Sequence, residues 1–473
     1  MSIVVQKYGG TSVADAVRIM NVARRIVATA EQGHQVCAVV SARGDTTDEL
    51  LELAREISPN PPEREMDMLL SAGERISCAL LAMAIDRLGG QAVSFTGSQA
   101  GIITDTVHTK ARILDIRAFR VQEALDAGRI VLVAGFQGVS TDKAVTTLGR
   151  GGSDTTAVAL AHALGAEVCE IYTDVDGVYT ANPSVVARAC KIDRISYDEM
   201  LEMAAAGAQV LALRSVEYAR KYDIPIHVRS SFSDSEGTWV REDDETMELE
   251  QPIIRAVTYS TDDAKVTVRG VPDKPGVAAQ VFSALADAHV NVDMIIQNVS
   301  EKGRSDISCV IAAEDGPAAD RALREVVERL GAGGFDADER VAKLSVVGAG
   351  MRANPWVAAK MFSTLADLGI NIDMISTSPI KISCVIDEAR VEEAVRTLHT
   401  AFELDDACVY AESPEGGAAA KPRAAAKKAG AAKKAAPTKK GATATRAGAA
   451  KKAAPTKAAA SAKARGAAKK GGS

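Results

Sequence analysis

Short runs of apolar residues alternate with apolar residues spaced three or four positions apart along the first half of the chain. The runs predict strands and the spaced patterns predict helices. Strands are predicted at residues 3–6, 35–40, 92–95, 130–134 and 168–172. Helices are predicted at residues 14–29, 47–57, 64–88 and 155–164. Because glycine-containing loops recur after the strands, the pattern predicts an α/β fold with a mainly parallel sheet and helices on both faces.

The stretch 148–183 organises this first part of the chain. It begins with the glycines Gly149, Gly151 and Gly152, which allow the backbone to approach a ligand closely. The loop leads into the helix at 155–164, which Ser153 or Asp154 can cap and whose first amides attract anions. A glycine-rich turn by itself is more often only a tight connection. Here a second polar loop, Thr173 and Asp174, follows a strand, and ligands of open α/β sheets bind at such strand ends.

Two further groups of residues have the composition of a binding site. The first predicted strand runs into Lys7, Gly9 and Gly10, which can bring an ammonium and backbone amides to phosphate oxygens. The order differs from that of a Walker A loop, and an ordinary turn is the alternative. Glu74 and Arg75 stand among apolar residues of the long third helix, where a surface salt bridge is the simpler interpretation.

The chain beyond residue 247 contains an internal repeat. Residues 281–295, VFSALADAHVNVDMI, match residues 361–375, MFSTLADLGINIDMI, at an offset of 80. Each copy predicts the order strand, helix, strand, strand, helix, which is a split βαβ pattern.

The last 58 residues differ from the rest in charge and composition. Residues 416–473 carry 16 of the 56 Lys and Arg residues and no Asp or Glu, whereas the remaining chain has 40 basic and 62 acidic residues. Without large apolar side chains this tail is predicted to be disordered. It could bind nucleic acid or another polyanion nonspecifically, through phosphates, or it is only a solvated tail.

Cysteine usage and hydropathy indicate a cytoplasmic protein. The seven cysteines are scattered and lack a CxxC pair, so we expect neither disulfides nor a zinc site. No signal peptide opens the chain, no apolar run approaches the roughly 20 residues of a membrane span, and no membrane partner is expected.

With KYGGTS, SARGDTTDEL, FTGSQAG, TTLGRGGSDTTAVALA, YTDVDGVYTANP and LRSVEYA in this order, the chain resembles the aspartate kinases of the amino-acid-kinase family. The resemblance covers residues 3 to about 412. It implies a three-layer sandwich and ATP-dependent phosphorylation of the β-carboxylate of L-aspartate to 4-phospho-L-aspartate. That reaction is the first step toward lysine, threonine, methionine and isoleucine.

The resemblance also implies a role for each site residue. Lys7 and Asp154 are the implied catalytic residues, with Asp154 orienting the cation that binds phosphate. ATP would contact Lys7, Gly9, Gly10, Ser41, Thr173, Asp174, Tyr179 and Gln209, with Mg²⁺ bridging its phosphates rather than held by a dedicated protein site. L-Aspartate would contact Thr47, Glu74, Arg150, Gly152 and Ser153. Arg150 would pair with the substrate α-carboxylate and Glu74 with its ammonium.

Four positions depart from the family pattern. They are Arg43 and Trp356, where smaller residues or a methionine are usual, Ser184, where an arginine is usual, and Gln209, where a lysine is usual. The last two remove cations from the ATP side. The alternative function is therefore an amino-acid-sensing regulatory subunit with a weak or silent kinase domain.

The repeat resembles a pair of ACT domains, which are ferredoxin-like modules that bind small amino acids at paired edges. The resemblance implies feedback inhibition by lysine, threonine or both, while a dimerisation module is the alternative. The implied effector contacts are Asp273, Gly276, Ala278, Gln297, Asn371 and Ile372. The assembly would be a homo-oligomer, or an α2β2 complex with a regulatory chain begun internally at Met247.

The implied boundaries are 1–245 for the catalytic domain, 246–264 for a linker, 265–340 and 341–412 for the two ACT modules, and 413–473 for the tail.

Overall fold

A computed structural model of the chain describes residues 2–242, 253–298, 303–349, 351 and 354–406. The strands are β1 (Ile3–Tyr8), β2 (Gln35–Val40), β3 (Ala92–Phe95), β4 (Ile102–Thr104), β5 (Ile113–Ile116), β6 (Ile130–Ala134), β7 (Gln137–Ser140), β8 (Val145–Thr147), β9 (Val168–Thr173), β10 (Val178–Tyr179), β11 (Lys191–Ile192), β12 (Arg194–Ile195), β13 (Ile226–Ser230), β14 (Thr238–Val240), β15 (Ile253–Ser260), β16 (Asp263–Pro272), β17 (Val292–Gln297), β18 (Arg304–Ala312), β19 (Gly334–Asp338), β20 (Val341–Ala349), β21 (Met374–Ser378) and β22 (Lys381–Asp387). The helices are α1 (Ala16–Glu31), α2 (Thr46–Ile57), α3 (Glu63–Arg87), α4 (Phe119–Asp126), α5 (Gly152–Leu164), α6 (Tyr197–Ala205), α7 (Leu213–Tyr222), α8 (Val277–Asp287), α9 (Gly316–Leu330), α10 (Pro355–Asp367) and α11 (Val391–Ala401).

The first part of the chain is built on an eight-stranded sheet in the order β12-β14-β13-β9-β1-β2-β6-β3. From β13 through to β3 the neighbouring strands are parallel, and only β14 pairs antiparallel, with β13. The central strands β2 and β6 are buried along almost their whole length, as expected of strands covered on both faces. The predicted mainly parallel α/β sheet is confirmed.

Helices cover both faces of this sheet. On one face Ile26 of α1 and Leu81 of α3 pack against Tyr8 and Val40. On the other face, residues of α4, α5 and α7 pack against the sheet, as Leu160 does against Val5. Because residues alternate between faces along a strand, the apolar runs supply both cores.

Helix α3 is long and apolar enough, by length and composition alone, to cross a membrane. Glu74 and Arg75 interrupt its apolar residues near the middle, so α3 does not contain an uninterrupted apolar run of that length. Half of the most apolar stretch of α3 is buried in the protein, and Leu81 and Ile85 lie in the core between α3 and the sheet. Burial against the sheet explains its apolar composition.

Parallel pairing brings several loops to one edge of the sheet. Tyr8 is in register with Val40 on β2 and with Tyr172 on β9, and Thr173 is in register with Ser230 on β13. The loops that follow β1, β2, β9 and β13 therefore begin side by side. This edge carries the predicted binding residues.

The repeat forms two four-stranded sheets of the same ferredoxin-like topology. The first module runs β16-α8-β17-β18-α9-β19, with strand order β17-β18-β16-β19. The second has the order β15-β20-β22-β21, and β15 precedes the first module in sequence. In the second sheet Val257 of β15 is in register with Val346 of β20. The predicted linker at 246–264 is thus corrected, because part of it is the fourth strand of the second module.

Five of the seven cysteines, Cys37, Cys78, Cys169, Cys309 and Cys384, are free and buried. Burial raises the pKa of the Cys37 thiol to about 12, so it is an unreactive part of the core. The expectation that no cysteine forms a disulfide was wrong for Cys190, which is disulfide-bonded. Cys408, Met247 and the basic tail lie outside the described residues.

Candidate functional site

Lys7 and Asp154 form an ion pair at the edge where the loops meet. Lys7 lies on β1 and Asp154 in the first turn of α5, which packs against β1. The Lys7 Nζ and Asp154 Oδ1 atoms are 2.6 Å apart, and only about a tenth of each side chain is exposed. Such a pair holds an ammonium at a fixed place facing the loops.

The loop that begins α5 is shaped by its glycines. Gly149 and Gly151 have φ of +78° and +70°, a conformation that favours glycine. A methyl group at Gly151 would also collide with Ala212. The Ala212 N–H donates to Asp154 Oδ2 at 3.3 Å. The loop between α6 and α7 therefore fixes the second oxygen of the carboxylate that holds Lys7.

The loops after β1 and β2 pack against each other. The Gly44 N–H donates to the Gly10 carbonyl at 3.0 Å, and a Cβ at Gly10 would lie 2.7 Å from the Ala42 carbonyl oxygen. The Ser41 N–H donates to the Tyr8 carbonyl at 3.1 Å, and the Ser41 side chain is half-buried. Only glycine fits at position 10, so backbone amides can approach a phosphate here.

Glu74 is buried beside the loop after β2. Its side chain is on α3, only 3% of the residue is exposed, and its Oε2 has no hydrogen-bond partner within the described part of the chain. Burial raises the pKa of Glu74 to about 7, although the backbone amides of Glu74 and Ala42 lower it. A buried carboxylate oxygen without a partner suits a cationic group of a ligand. The surface salt bridge that the sequence suggested is not its environment.

Arg150 is far more exposed than the other predicted substrate contacts. Its side chain is 89% exposed, and its Nε lies 3.9 Å from Glu314 Oε2 in the first module. Gly152 and Ser153 are buried at the start of α5, and Thr47 is half-buried in the first turn of α2. These positions border the glycine loop, but their roles as substrate contacts stay predictions.

The segment after β9 carries the predicted nucleotide contacts. Thr173 ends β9 and donates from its hydroxyl to Asp174 Oδ1 at 3.1 Å. Tyr179 lies on β10 and is half-buried; burial and the Asp176 carboxylate raise its pKa. Gln209 is exposed in the loop that contacts Asp154 through Ala212.

All four departures from the family pattern are exposed: Arg43, Ser184 and Gln209 lie on loops, and Trp356 lies in the first turn of α10. The N–H and hydroxyl of Ser184 bond to Asn182 Oδ1 at 3.0 and 2.8 Å. Lys191 is held by Asp193 and by the Gly237 carbonyl, at 2.5 and 2.8 Å, so in this conformation it does not replace a missing cation. Trp356 is 78% exposed at the start of α10.

Sequence reasoning missed Asp67, which is fully buried on α3. Asp67 accepts hydrogen bonds from the Thr109 N–H at 3.0 Å and the Thr147 hydroxyl at 2.5 Å, and lies 2.5 Å from His108 Nδ1. It therefore fixes the segment 105–111 beside the glycine loop. Nothing local in the sequence indicates this role, because the partners are 41 to 80 residues away.

The predicted effector contacts fall on two different sheets. The first group, Asp273, Gly276, Ala278 and Gln297, surrounds the start of α8 and the end of β17. The second group, Asn371 and Ile372, directly precedes β21. Strands β17 and β21 each lie at the edge of their sheet, and Gln297 Nε2 donates to Ser305 Oγ at 3.3 Å. Each module thus has an edge strand with one side unpaired in its own sheet, and the effector roles stay predictions.

Comparison with known proteins places the chain among characterised families. The amino acid kinase family model matches residues 2–230, and the ACT domain model matches residues 266–327 and 344–402. The aspartokinase of Mycolicibacterium smegmatis is 57% identical over 417 residues, which are 87% of this chain and 99% of that protein. The aspartokinase of Mycobacterium tuberculosis is 56% identical over the same shares.

Two solved structures share the architecture. The structure of E. coli aspartokinase III in complex with aspartate and ADP aligns with a TM-score of 0.74 at 27% identity, covering 84% of this chain and 99% of that one. The structure of E. coli aspartokinase III with lysine and aspartate aligns with a TM-score of 0.62 at 27% identity. The alignment covers 85% of this chain and 99% of that one.

Proposed function

Because the chain belongs to the aspartate kinases of the amino acid kinase family, we propose that it transfers the terminal phosphoryl group of ATP to the β-carboxylate of L-aspartate, forming 4-phospho-L-aspartate. The observation that carries this proposal is the pair of Lys7 Nζ and Asp154 Oδ1 at 2.6 Å, at the edge where the glycine loops meet. The product is the class of acyl phosphate that begins lysine and threonine biosynthesis.

The reaction needs positioning and charge neutralisation rather than a base. A side-chain carboxyl with a pKa near 4 is already ionised at neutral pH, so the nucleophile requires no deprotonation. Phosphoryl transfer is accelerated chiefly by groups that stabilise charge on the transferred oxygens. Lys7 supplies that charge, and Asp154 holds its ammonium in place. Backbone amides after Gly9 and Gly10 line the same edge.

The residues present fit a nucleotide with its Mg²⁺. The close packing at Gly10 leaves backbone at the surface of the site, and the exposed Asp174 carboxylate lies beside it on the neighbouring strand end. Mg²⁺, when bound with ATP, neutralises charge on the phosphates. Lys7 and Asp174 would hold the loaded nucleotide from two sides.

Two residues account for aspartate as the acceptor. The unpaired buried oxygen of Glu74 suits the substrate ammonium. Arg150 suits the α-carboxylate because a guanidinium forms two parallel hydrogen bonds with a carboxylate. Its 3.9 Å contact with Glu314 is long and exposed, so the side chain is free to turn to a substrate.

Trapping the product tests this proposal. Incubation with Mg-ATP, L-aspartate and hydroxylamine should yield the β-hydroxamate of aspartate, because hydroxylamine captures acyl phosphates. Absence of an aspartate-dependent hydroxamate would contradict the proposal and favour the alternative, a sensing subunit with a silent kinase domain.

The alternative rests on Ser184 and Gln209, and the second of these leads to a prediction. Gln209 lies in the loop that positions Asp154, where the family pattern has a lysine. Gln209→Lys should raise kcat at saturating substrates by about 10- to 10³-fold, because it adds a cation beside the transferred charge. Gln209→Met, which has similar length and no charge, is the control. An unchanged kcat in Gln209→Lys would mean that the site is adapted to glutamine.

We also propose that the two modules sense lysine, threonine or both. Support comes from the match to the ACT domain and from the lysine-bound relative. Gln297→Ala and Asn371→Ala should each raise the inhibitor concentration for half-inhibition at least tenfold, with little change in the uninhibited rate. Inhibition that is intact in both variants would place the effector site elsewhere.

The assembly follows from the same modules. We propose a homo-oligomer, or an α2β2 complex with a regulatory chain begun at Met247, because β17 and β21 are edge strands that a second module can pair with.

The basic tail leads to a separate prediction. We propose that residues 413–473 bind nucleic acid nonspecifically, because 16 of the chain's 56 basic residues lie in the last 58 positions. Retention on DNA should weaken steeply with salt. In a plot of the logarithm of the binding constant against that of the salt concentration, each neutralised phosphate adds roughly 0.9 to the steepness of the slope. A chain truncated after Glu412 should lose retention and keep its kinase activity. Equal retention of both chains at low salt would contradict the prediction.

A further inference from the structure

The segment that follows the predicted nucleotide contacts is part of the core of the second module. Ala181 and Val186 are buried in the same apolar cluster as Leu344 of β20 and Leu398 of α11. Arg396 on α11 donates from its Nε to the Val185 carbonyl at 3.0 Å. The nucleotide side of the kinase domain is therefore built directly on the second module.

A buried polar chain joins the two at Thr180. The Thr180 hydroxyl and His399 Nε2 are 2.8 Å apart, and His399 Nδ1 is 2.8 Å from Asp405 Oδ1. Thr180 Oγ1 also accepts from the Cys190 N–H at 2.8 Å. His399 is fully buried and Thr180 nearly so. The chain runs from α11 of the second module to the end of β10.

The hydrogen-bond pattern defines the proton positions. Asp405 accepts from the imidazole Nδ1–H, which leaves Nε2 as the acceptor for the Thr180 hydroxyl proton. Burial lowers the pKa of His399 in spite of the opposing effect of Asp405, which favours this neutral form. Every polar atom of the chain thus has a partner, as a rigid buried network requires.

Thr180 is directly connected along the chain to the segment that carries the predicted nucleotide contacts. Thr180 follows Tyr179 directly, and β10 is held to β11 by the pairing of Tyr179 with Lys191. The Thr180 carbonyl accepts from the Val257 N–H of β15 at 2.8 Å. Both the side chain and the backbone of Thr180 are therefore fixed by the second module.

We propose that His399 and Asp405 are positioning residues for nucleotide binding, acting through Thr180 on the segment 173–180. The inference rests on the proposed function only in taking Thr173, Asp174 and Tyr179 as nucleotide contacts. It assigns the second module to the nucleotide side of the reaction. The first module instead contacts residues around the glycine loop: Asp315 holds Lys110 at 2.7 Å, and Glu314 lies 3.9 Å from Arg150, a predicted aspartate contact.

The test compares nucleotide and aspartate binding in four variants, of which Thr180→Ser keeps the hydroxyl. Thr180→Val removes the hydroxyl at nearly constant volume, His399→Leu removes the imidazole, and His399→Gln retains a polar group that can reach Thr180. MgADP titrated calorimetrically into the full-length protein should bind about tenfold more weakly to Thr180→Val and His399→Leu, as expected for one lost buried hydrogen bond. His399→Gln and Thr180→Ser should restore most of the affinity. The KM for aspartate should stay within twofold of the original.

Two outcomes would overturn the inference. The first is an unchanged MgADP affinity in Thr180→Val. The second is an equal weakening of MgADP binding and of the KM for aspartate, which would indicate a purely structural contact. Glu393→Gln, on the exposed face of the same helix and paired with Arg390 rather than Arg396, is the matched control and should change neither the MgADP affinity nor the KM for aspartate. Because the titration does not require phosphoryl transfer, its result is independent of whether aspartate is the acceptor.

Discussion

Lys7→Met is expected to lower kcat by about 10³-fold or more at saturating ATP and aspartate. The substitution removes the cation proposed to stabilise the transferred phosphoryl group, and the loss of a catalytic cation lowers the rate by about 10³- to 10⁵-fold. It also leaves Asp154, only a tenth exposed, without its partner at 2.6 Å. Steady-state kinetics, with ADP release as the readout, measures the effect.

A matched control separates catalysis from loss of an ion pair. Lys265 forms an ion pair of similar length, 2.7 Å, with Asp373 between the two modules and away from the loops. Lys265→Met should leave kcat without effectors nearly unchanged, because partly exposed ion pairs contribute little to stability. A Lys7→Met enzyme whose kcat stays within tenfold of the original would exclude Lys7 from the role proposed for it.

Glu74→Gln is expected to lower kcat/KM for aspartate by about 10²- to 10³-fold while leaving KM for ATP almost unchanged. The buried carboxylate is the proposed partner of the substrate ammonium, and loss of one member of a buried ion pair costs about 3–5 kcal/mol. Glu65→Gln, exposed on the same helix, is the control. An equal loss of kcat/KM for aspartate and for ATP would show that Glu74 only stabilises the fold.

The pH dependence gives Glu74 a distinct signature. Because burial raises the pKa of Glu74 to about 7, the carboxyl is neutral below that pH and cannot pair with an ammonium. The kcat/KM for aspartate should therefore rise between pH 6 and 8 and become flat in Glu74→Gln across this range. A pH profile that is identical in the two proteins would contradict the assignment.

The same shift predicts an opposite effect on stability. The folded protein retains the proton of Glu74 above the ordinary pKa of 4.5, so stability is lost as pH rises from there through about 7. Between these two pH values the free energy of unfolding falls by roughly 3 kcal/mol, at 1.36 kcal/mol per pKa unit. Without substrate, Glu74→Gln should be more stable than the original protein at pH 8. Thermal unfolding at pH 5 and pH 8 measures this.

The sequence predicted the sheet because its signal is local. Apolar runs such as 35–40 and 130–134 are buried on both faces, so they read as strands without knowledge of their neighbours. Strand β15 was missed because its partner β20 lies about 90 residues further along the chain, beyond the whole first module. No pattern within 253–260 indicates which sheet it joins.

The candidate site was predicted less completely than the fold, for a related reason. Motifs led to Lys7 and Asp154 separately, and the structure brings them together across 147 positions of sequence. Asp67 and His399 act through partners far along the chain, so neither stands in a recognisable motif. Burial is also invisible to composition: Glu74 was interpreted as part of a surface pair, whereas α3 places it beneath the loop after β2.

The initial rate of ADP release from Mg-ATP, with and without L-aspartate, tests the central claim most directly. The account predicts release that depends on aspartate, that saturates with it, and that is matched by acyl phosphate trapped as hydroxamate. L-Glutamate at the same concentration should support little release, because Glu74 and Arg150 are proposed to fix the length of the acceptor. Release that is independent of aspartate, or no release at all, would contradict the assignment of this edge of the sheet as an aspartate kinase site.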